Sequence, residues 1–231
     1  MAKKKFAWSY SSLNQFETCP FRYRETRITK TISEPQSEAM LWGNKLHKEL
    51  EMYVKDNVPL SKACQPFEPI VKALKDKATN SGGVIDAEQK MCLNTDLQET
   101  KYFGSDAWVR GIVDVTIESN SKVFIGDYKT GKRKPDSEQL MLSAGMVMQA
   151  RPWVTEVTNS FLWLKTNQVD KEVFDRDDLA RIWGTFVPRA TRMEAAIEED
   201  KMPKRESGLC KNWCPVHHCE FNGKFKEKKD V

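Results

Sequence analysis

Two strand-like runs separated by a short polar turn constrain the fold of this chain more than any other feature. β-Branched and aromatic residues alternate with other types over residues 108–118 and again over residues 122–129. The residues between them include Asn120 and Ser121, which are typical of hairpin loops. The spacing predicts two antiparallel strands whose register is centred between Asn120 and Ser121.

This register places two acidic residues opposite each other, Asp114 on the first strand and Asp127 on the second. Side-chain alternation predicts that the odd-numbered residues 109–117 share one face and that Asp114 points to the other. Directly opposed residues hold their Cβ atoms roughly 4.5 to 5.5 Å apart. Two carboxylates at that distance repel unless a cation lies between them, and oxygen ligands suit Mg²⁺ or Mn²⁺.

Lys129 lies two residues after Asp127, so both side chains are expected on the same face of the second strand. Beside a metal ion, Lys129 could orient or help to deprotonate a bound water, or offset charge on a phosphate. This combination indicates hydrolysis of phosphodiester bonds. The alternative is a solvated strand face with one salt bridge, but Asp127 follows the apolar run 123–125, where an unpaired charge is costly.

The rest of the chain predicts a mixed α/β fold, in which a three-stranded meander and further strands form a central sheet flanked by helices. The first residues that could cap a helix are Ser9, Ser11 and Ser12. Within the segment 9–27, a helix that carries Leu13, Phe16 and Cys19 on one face is expected. Further helices are expected over residues 38–54, 69–77, 137–150 and 177–201, the last kinked or divided by Pro188, and further strands over 84–93, 154–165 and 168–174.

Composition excludes several classes of protein. The chain has 231 residues, of which 39% are hydrophobic, so it is too apolar for a disordered chain and too short for a large multidomain machine. No apolar run approaches the roughly 18 residues of a membrane span, and none follows the basic amino end, so we expect a cytosolic protein. The net charge of +4 permits binding to a polyanion without requiring it.

The motifs GIVD, ending at Asp114, and DYKTGK, beginning at Asp127, resemble the PD-(D/E)xK nuclease superfamily in its RecB- and AddB-like branch, which includes the iron–sulfur exonucleases of CRISPR adaptation. The resemblance covers residues 9–219 and implies a restriction-endonuclease-like core. It implies that Asp114, Asp127 and the Tyr128 carbonyl bind the metal and that Lys129 is the catalytic lysine. A single nuclease domain over 1–231 is then expected, with a helical part (1–80), a catalytic core (84–175), a helix and cysteine segment (177–223) and a basic tail (224–231).

Three further site residues follow from the same resemblance. The motif WGNKLH provides a histidine, His47, as a metal ligand, although a lone helical histidine is more often a surface or core residue. The helix motif QLxxYA is present as QLMLSA, which places Gln139 at the site and Ser143 where the family has tyrosine. Glu88 occupies a place where related nucleases often have an acidic residue.

Three cysteines, Cys210, Cys214 and Cys219, lie close together, and Cys19 precedes the core. Four thiolates suit a [4Fe-4S] cluster or a tetrahedral zinc site. The RecB-like nucleases carry one cysteine before the core and three after it around a [4Fe-4S] cluster, although usually with a different spacing. Such a cluster would join the terminal segments. Zinc bound with the help of His217 and His218, and buried free thiols, remain open alternatives.

Basic residues are interleaved with aromatic ones after Cys19, where Arg22 and Arg24 follow Phe21 and Tyr23, and Lys132 and Arg133 follow the catalytic strand. Such residues suit a single-strand channel, but they could equally form a solvated face. We expect a Mg²⁺- or Mn²⁺-dependent DNA nuclease, an exonuclease on single-stranded or end-processed DNA in repair or recombination. Its partners would be a helicase, a recombinase or a second copy, without a membrane, and a phage origin would fit its size. The alternatives are an inactive nucleic-acid-binding module and a zinc-stabilised interaction protein.

Overall fold

The computed structural model of the protein describes residues 6–34, 36–133 and 138–225. Two predicted features, the first residue of the 137–150 helix and most of the 224–231 tail, lie outside these residues. The chain forms two compact units: a core unit, Met1–Ala7 with Ser37–Phe186, and a terminal unit, Trp8–Gln36 with Val187–Val231. No helix in the described ranges is long and apolar enough to cross a membrane.

The core unit contains one mixed sheet of five strands in the order β1-β2-β3-β4-β5. Adjacent strands are antiparallel except β3 and β4, which run parallel and are separated in the sequence by helix α5. The predicted α/β fold, a meander with further strands flanked by helices, is confirmed. The strands are β1 Val84–Leu93, β2 Val109–Ser119, β3 Lys122–Lys129, β4 Glu156–Trp163 and β5 Gln168–Asp175.

The hairpin between β2 and β3 has the predicted register. Pairing runs from Ser119↔Lys122 at the turn to Val115↔Gly126. Asn120 has a φ of 52°, the left-handed conformation that tight hairpin turns require and that asparagine adopts at low cost. The polar turn and the apolar alternation therefore determine which residues of the two strands face each other.

Helices cover both faces of the sheet. Leu46 and Leu50 of α3 and Leu74 of α4 pack with Val115 and Leu162 on one face. On the other face, the side-chain amide of Asn159 in β4 donates to the Leu140 carbonyl of α5 at 2.7 Å. The helices are α1 Tyr10–Thr18, α2 Pro20–Tyr23, α3 Glu38–Asp56, α4 Glu68–Asn80, α5 Glu138–Ala150 and α6 Asp178–Glu198.

Two helices differ from the expectation. Helix α1 begins with a capping box at Ser9, as predicted, but it ends before Cys19, which is extended because it precedes Pro20. Pro188 does not divide α6, which runs unbroken from Asp178 to Glu198. Buried residues on both sides of the proline, at Phe186 and Ala190, continue one apolar face and favour an uninterrupted helix.

Candidate active site

Asp114 lies where the ladder between β2 and β3 opens. The last paired residues are Val115 and Gly126, one position before Asp114 and Asp127 would face each other. Beyond them, the backbone N–H of Tyr128 donates to Asp114 Oδ2 at 2.7 Å. The carboxylate thus takes the place of a main-chain partner and is held at the fork between the two strands.

Strands β1 and β2 reverse the faces of their side chains at this point. The backbone of Gly111 lies against Met146 of α5, whereas Val115 belongs to the core beneath α3 and α4. The predicted alternation through residues 109–117 is therefore wrong at Asp114. Glu88, which the β1–β2 register places opposite Asp114, has a φ of 49°, a conformation unusual for a non-glycine residue. The reversal allows both acidic side chains to reach the side of the sheet that carries α3.

His47 of α3 completes a cluster of three ligand groups. Its Nδ1 lies 3.2 Å from Asp114 Oδ1, and its Nε2 lies 2.9 Å from the Tyr128 carbonyl oxygen. One ligand atom from each of His47, Glu88 and Asp114 lies within 4.8 Å of the others. Burial by itself lowers the pKa of His47, but the contacts with Asp114, Asp127 and the carbonyl raise it above its ordinary value. Burial and the neighbouring Asp114 raise the pKa of Glu88.

Asp127 lies on β3 next to the backbone of Tyr128, and its side chain faces α5. Lys129 Nζ lies 2.9 Å from its Oδ1 and 3.0 Å from its Oδ2, and Gln139 Nε2 donates to Oδ2 at 2.6 Å. Lys129 Nζ also donates to Gln139 Oε1 at 3.0 Å, which closes a ring of three side chains. Burial raises the pKa of Asp127 to about 6, with Lys129 opposing and Asp114 adding to the effect.

These groups fit a divalent cation. Carboxylates and a main-chain carbonyl are ligands that suit Mg²⁺ and Mn²⁺, and clustered acids with raised pKa values favour a bound positive charge. The structure brings His47, Asp114 and Tyr128 together, and separately Asp127, Lys129 and Gln139. Asp114 and Asp127 do not form the predicted opposed pair, because the pairing of β2 with β3 ends at Val115 and Gly126. The oxygens of Asp127 do not belong to the 4.8 Å cluster found among the described residues.

The structure gives two residues clearer roles than the sequence does. Glu88 is part of the ligand cluster, a position that the pairing of β1 with β2 could have revealed. Ser143 makes one hydrogen bond within α5 and one to β4. Its Oγ donates to the Gln139 carbonyl at 2.8 Å and accepts from Asn159 Nδ2 at 2.8 Å. Ser143 therefore ties α5 to β4.

The four predicted cluster cysteines line one cavity in the terminal unit: Cys19, Cys210, Cys214 and Cys219. All four are free thiols. Cys19 Sγ accepts from the Arg22 N–H at 3.5 Å, and Cys210 Sγ accepts from the Ser207 N–H at 3.3 Å. Among the described residues, no three of the four sulfurs lie mutually within 4.8 Å.

Three of the four residues predicted to contact nucleic acid have carboxylate partners. Arg22 pairs with Glu34 at 2.7 Å, and Arg24 lies 3.6 Å from Glu25. In the core unit, Arg133 Nε donates to Asp170 at 2.9 Å, while Lys132 is exposed. These partners compete with phosphates for the same cations.

Comparison with known proteins identifies the class. Residues 7–220 match the family model of the PD-(D/E)XK nuclease superfamily, and the chain belongs to this superfamily of nucleases. Its fold is similar to that of a candidate exonuclease from Eubacterium rectale, with a TM-score of 0.59 and 15% identity over 100% of this chain and 92% of that one. It is also similar to the protein SSO0001, with a TM-score of 0.51 and 15% identity over 98% of this chain and 90% of that one. No curated protein matches the sequence significantly.

Proposed function

We propose that this nuclease is a Mg²⁺- or Mn²⁺-dependent deoxyribonuclease that degrades DNA from an end. The observation that carries the proposal is the ligand cluster of His47, Glu88 and Asp114 beside the Asp127–Lys129 pair. The likeness to a candidate exonuclease supports the choice of end-directed cutting at the level of fold. In this proposal a separate helicase or recombinase provides the DNA ends, or the chain acts as an oligomer.

Each site residue has a distinct role in the proposed reaction. His47, Asp114, Asp127 and the Tyr128 carbonyl would hold the cation, with Glu88 as a further acidic ligand. When bound, a divalent cation activates water and neutralises charge on the phosphate. Lys129 is held by Asp127 and Gln139, so its ammonium can orient the attacking water and stabilise charge on the phosphate. Gln139 is a positioning residue for Lys129 and Asp127.

Digestion of end-labelled DNA tests the proposed function. Single-stranded and duplex oligonucleotides, each labelled at one end and then at the other, are incubated with the protein and Mn²⁺. We expect progressive shortening from one end, no cutting in EDTA, and recovery when Mn²⁺ is added back. Absence of cutting with Mn²⁺ and with Mg²⁺ on every substrate would support the alternative of an inactive nucleic-acid-binding module.

Metal binding should depend on pH because Asp127 must be deprotonated to act as a ligand. Below about pH 6 the cation has to displace a proton from Asp127, whereas above it the carboxylate is free. We expect Mn²⁺ affinity to fall by about tenfold or more for each pH unit below this value, and to rise further above it until His47, whose pKa is also raised, has lost its proton. Calorimetric titrations across this range measure the dependence. Asp127→Asn should show only the shallower dependence that His47 contributes, and a flat profile in the parent protein would contradict the assignment.

The terminal unit supports a [4Fe-4S] cluster held by Cys19, Cys210, Cys214 and Cys219. A zinc ion would bring four thiolates to about 3.8 Å from one another, since each Zn–S bond is about 2.3 Å. A [4Fe-4S] cluster takes one thiolate on each of its four irons, and four cysteines lining one cavity match that number. The two N–H···S bonds are of the kind that stabilise thiolate ligands. His217 and His218 do not line the cavity, which weakens the zinc alternative.

A further inference from the structure

The loop between β1 and β2 is an ordered surface structure. Asn94 Oδ1 accepts from the N–H groups of Asp96 and Gln98 at 3.0 and 2.9 Å. Further along, Thr100 Oγ1 donates to the Asp106 carboxylate at 2.8 Å. These bonds hold a compact turn between the two strands, and residues 102 and 103 lie on it. The side chains that this turn exposes are therefore already positioned before a partner binds.

The turn presents two aromatic rings together with two cations. Tyr102 and Phe103 meet edge to face with centroids 5.0 Å apart, and Phe103 is 79% exposed. Lys90 Nζ lies 5.7 Å from each ring centroid. The Arg110 guanidinium lies 5.6 Å from the Tyr102 ring and 5.9 Å from the Phe103 ring. Neither cation is paired with a carboxylate within the described ranges, so both retain charge for an external anion.

This group lies on the face of the sheet that leads to the metal ligands. Because Gly111 faces α5, Arg110 and Ile112 point to the opposite face, which is the side of α3. Lys90 is two residues from Glu88 and Arg110 is four from Asp114, distances of ~7 and ~13 Å along the strands. Ile112, which is 44% exposed, lies on β2 between Arg110 and Asp114 and adds apolar surface there.

We propose that the stacking platform, formed by Lys90, Tyr102, Phe103, Arg110 and Ile112, binds single-stranded DNA and directs it to the ligand cluster. Bases stack on Phe103, while Lys90 and Arg110 contact the flanking phosphates. An unpaired strand is required because bases in a duplex do not offer a free face to an exposed ring. The inference rests on the proposed function, since the bound strand is its substrate.

Binding to an uncleaved strand tests the platform separately from catalysis. In the Asp127→Asn background, fluorescence anisotropy is measured with a labelled oligothymidine and with a labelled duplex. We expect Phe103→Ala to weaken oligothymidine binding about tenfold, in line with the loss of one stacked base. The double variant Lys90→Gln, Arg110→Gln should also weaken it and reduce the salt dependence by about one to two phosphate contacts.

Matched controls lie beside the other end of β2: Trp153, in the loop before β4, donates to Glu118, and Lys122 is the first residue of β3. Trp153→Ala removes another exposed aromatic ring, 58% exposed, and Lys122→Gln removes another exposed cation. Both should bind the oligothymidine within twofold of the background protein. The Mn²⁺ affinity of Phe103→Ala, introduced into the parent chain, should equal that of the parent.

The outcomes separate the platform from the proposed catalysis. Platform variants that bind oligothymidine within twofold of the background protein overturn the inference, even if the parent cleaves DNA. Equal weakening for single strand and duplex also overturns it, because stacking is specific to the unpaired strand. Selective loss of single-strand binding supports it, even if the parent fails to cleave.

Discussion

Asp127→Asn is expected to lower the rate of DNA cleavage on the order of 10³-fold. The substitution keeps the size of the side chain but removes a proposed metal ligand and the carboxylate that holds Lys129. It should not unfold the protein. Burial raises the pKa of Asp127 to about 6 from an ordinary value of 3.8, so ionising this carboxyl costs more free energy in the folded than in the unfolded chain.

The sign of this stability effect follows from proton binding. A carboxyl whose pKa is higher in the folded than in the unfolded state stabilises the fold most below its ordinary pKa, and this contribution is lost as the pH rises through about 6. The asparagine side chain carries no charge at neutral pH. We therefore expect the Tm of the Asp127→Asn variant at neutral pH, without divalent cations, to be no lower than the Tm of the parent protein.

The controls for this prediction lie on the same strand. Lys129→Met should also abolish cleavage, because it removes the cation at the reacting phosphate. Lys122→Met, which removes an exposed lysine paired with Glu156, should cleave at the parent rate. Single-turnover rates with Mn²⁺ provide the comparison. Parent-like cleavage by both Asp127→Asn and Lys129→Met would place the activity elsewhere.

The second large effect is expected from Cys210→Ser. If the proposed [4Fe-4S] cluster is bound, removing one of its four proposed ligands should eliminate the broad absorption at about 400 nm that iron–sulfur proteins show and destabilise the terminal unit by several kcal/mol. Iron and sulfide analysis, absorption and thermal unfolding measure these effects. Cys64→Ala is the matched control: Cys64 is fully buried but lies in the core unit, so this variant should keep its colour.

The cysteine prediction has a definite opposing result. A colourless parent protein that contains one zinc ion per chain would contradict the iron–sulfur proposal and indicate a zinc site instead. A Cys210→Ser variant with the parent's iron content would show that Cys210 is not a ligand.

The hairpin could be predicted from the sequence because its information is local. A polar turn at Asn120 and alternating apolar residues specify the register, and the structure has the same register. The reversal of faces at Glu88 and Asp114 could not be predicted, because alternation assumes a regular strand and nothing about a glutamate indicates a positive φ. Glu88 was consequently only a minor candidate on sequence grounds.

Surface cations show the same limit. Arg22 and Arg133 look available in the sequence, but Glu34 and Asp170, which lie 12 and 37 residues away, pair with them. Lys90 and Arg110 attract no attention in the sequence and meet only because β1 pairs with β2 around the Tyr102 turn. Partners that come from distant positions decide which charges remain free, and local patterns do not contain them.

Mn²⁺ binding followed by electron paramagnetic resonance tests the central claim most directly. The signal of free Mn²⁺ is titrated with the parent and with Asp114→Asn, which removes the carboxylate shared by His47 and the Tyr128 N–H. We expect at least one bound Mn²⁺ per parent chain and an affinity weakened at least about tenfold in the variant. Equal binding by the two proteins, or no binding by the parent, would contradict the claim.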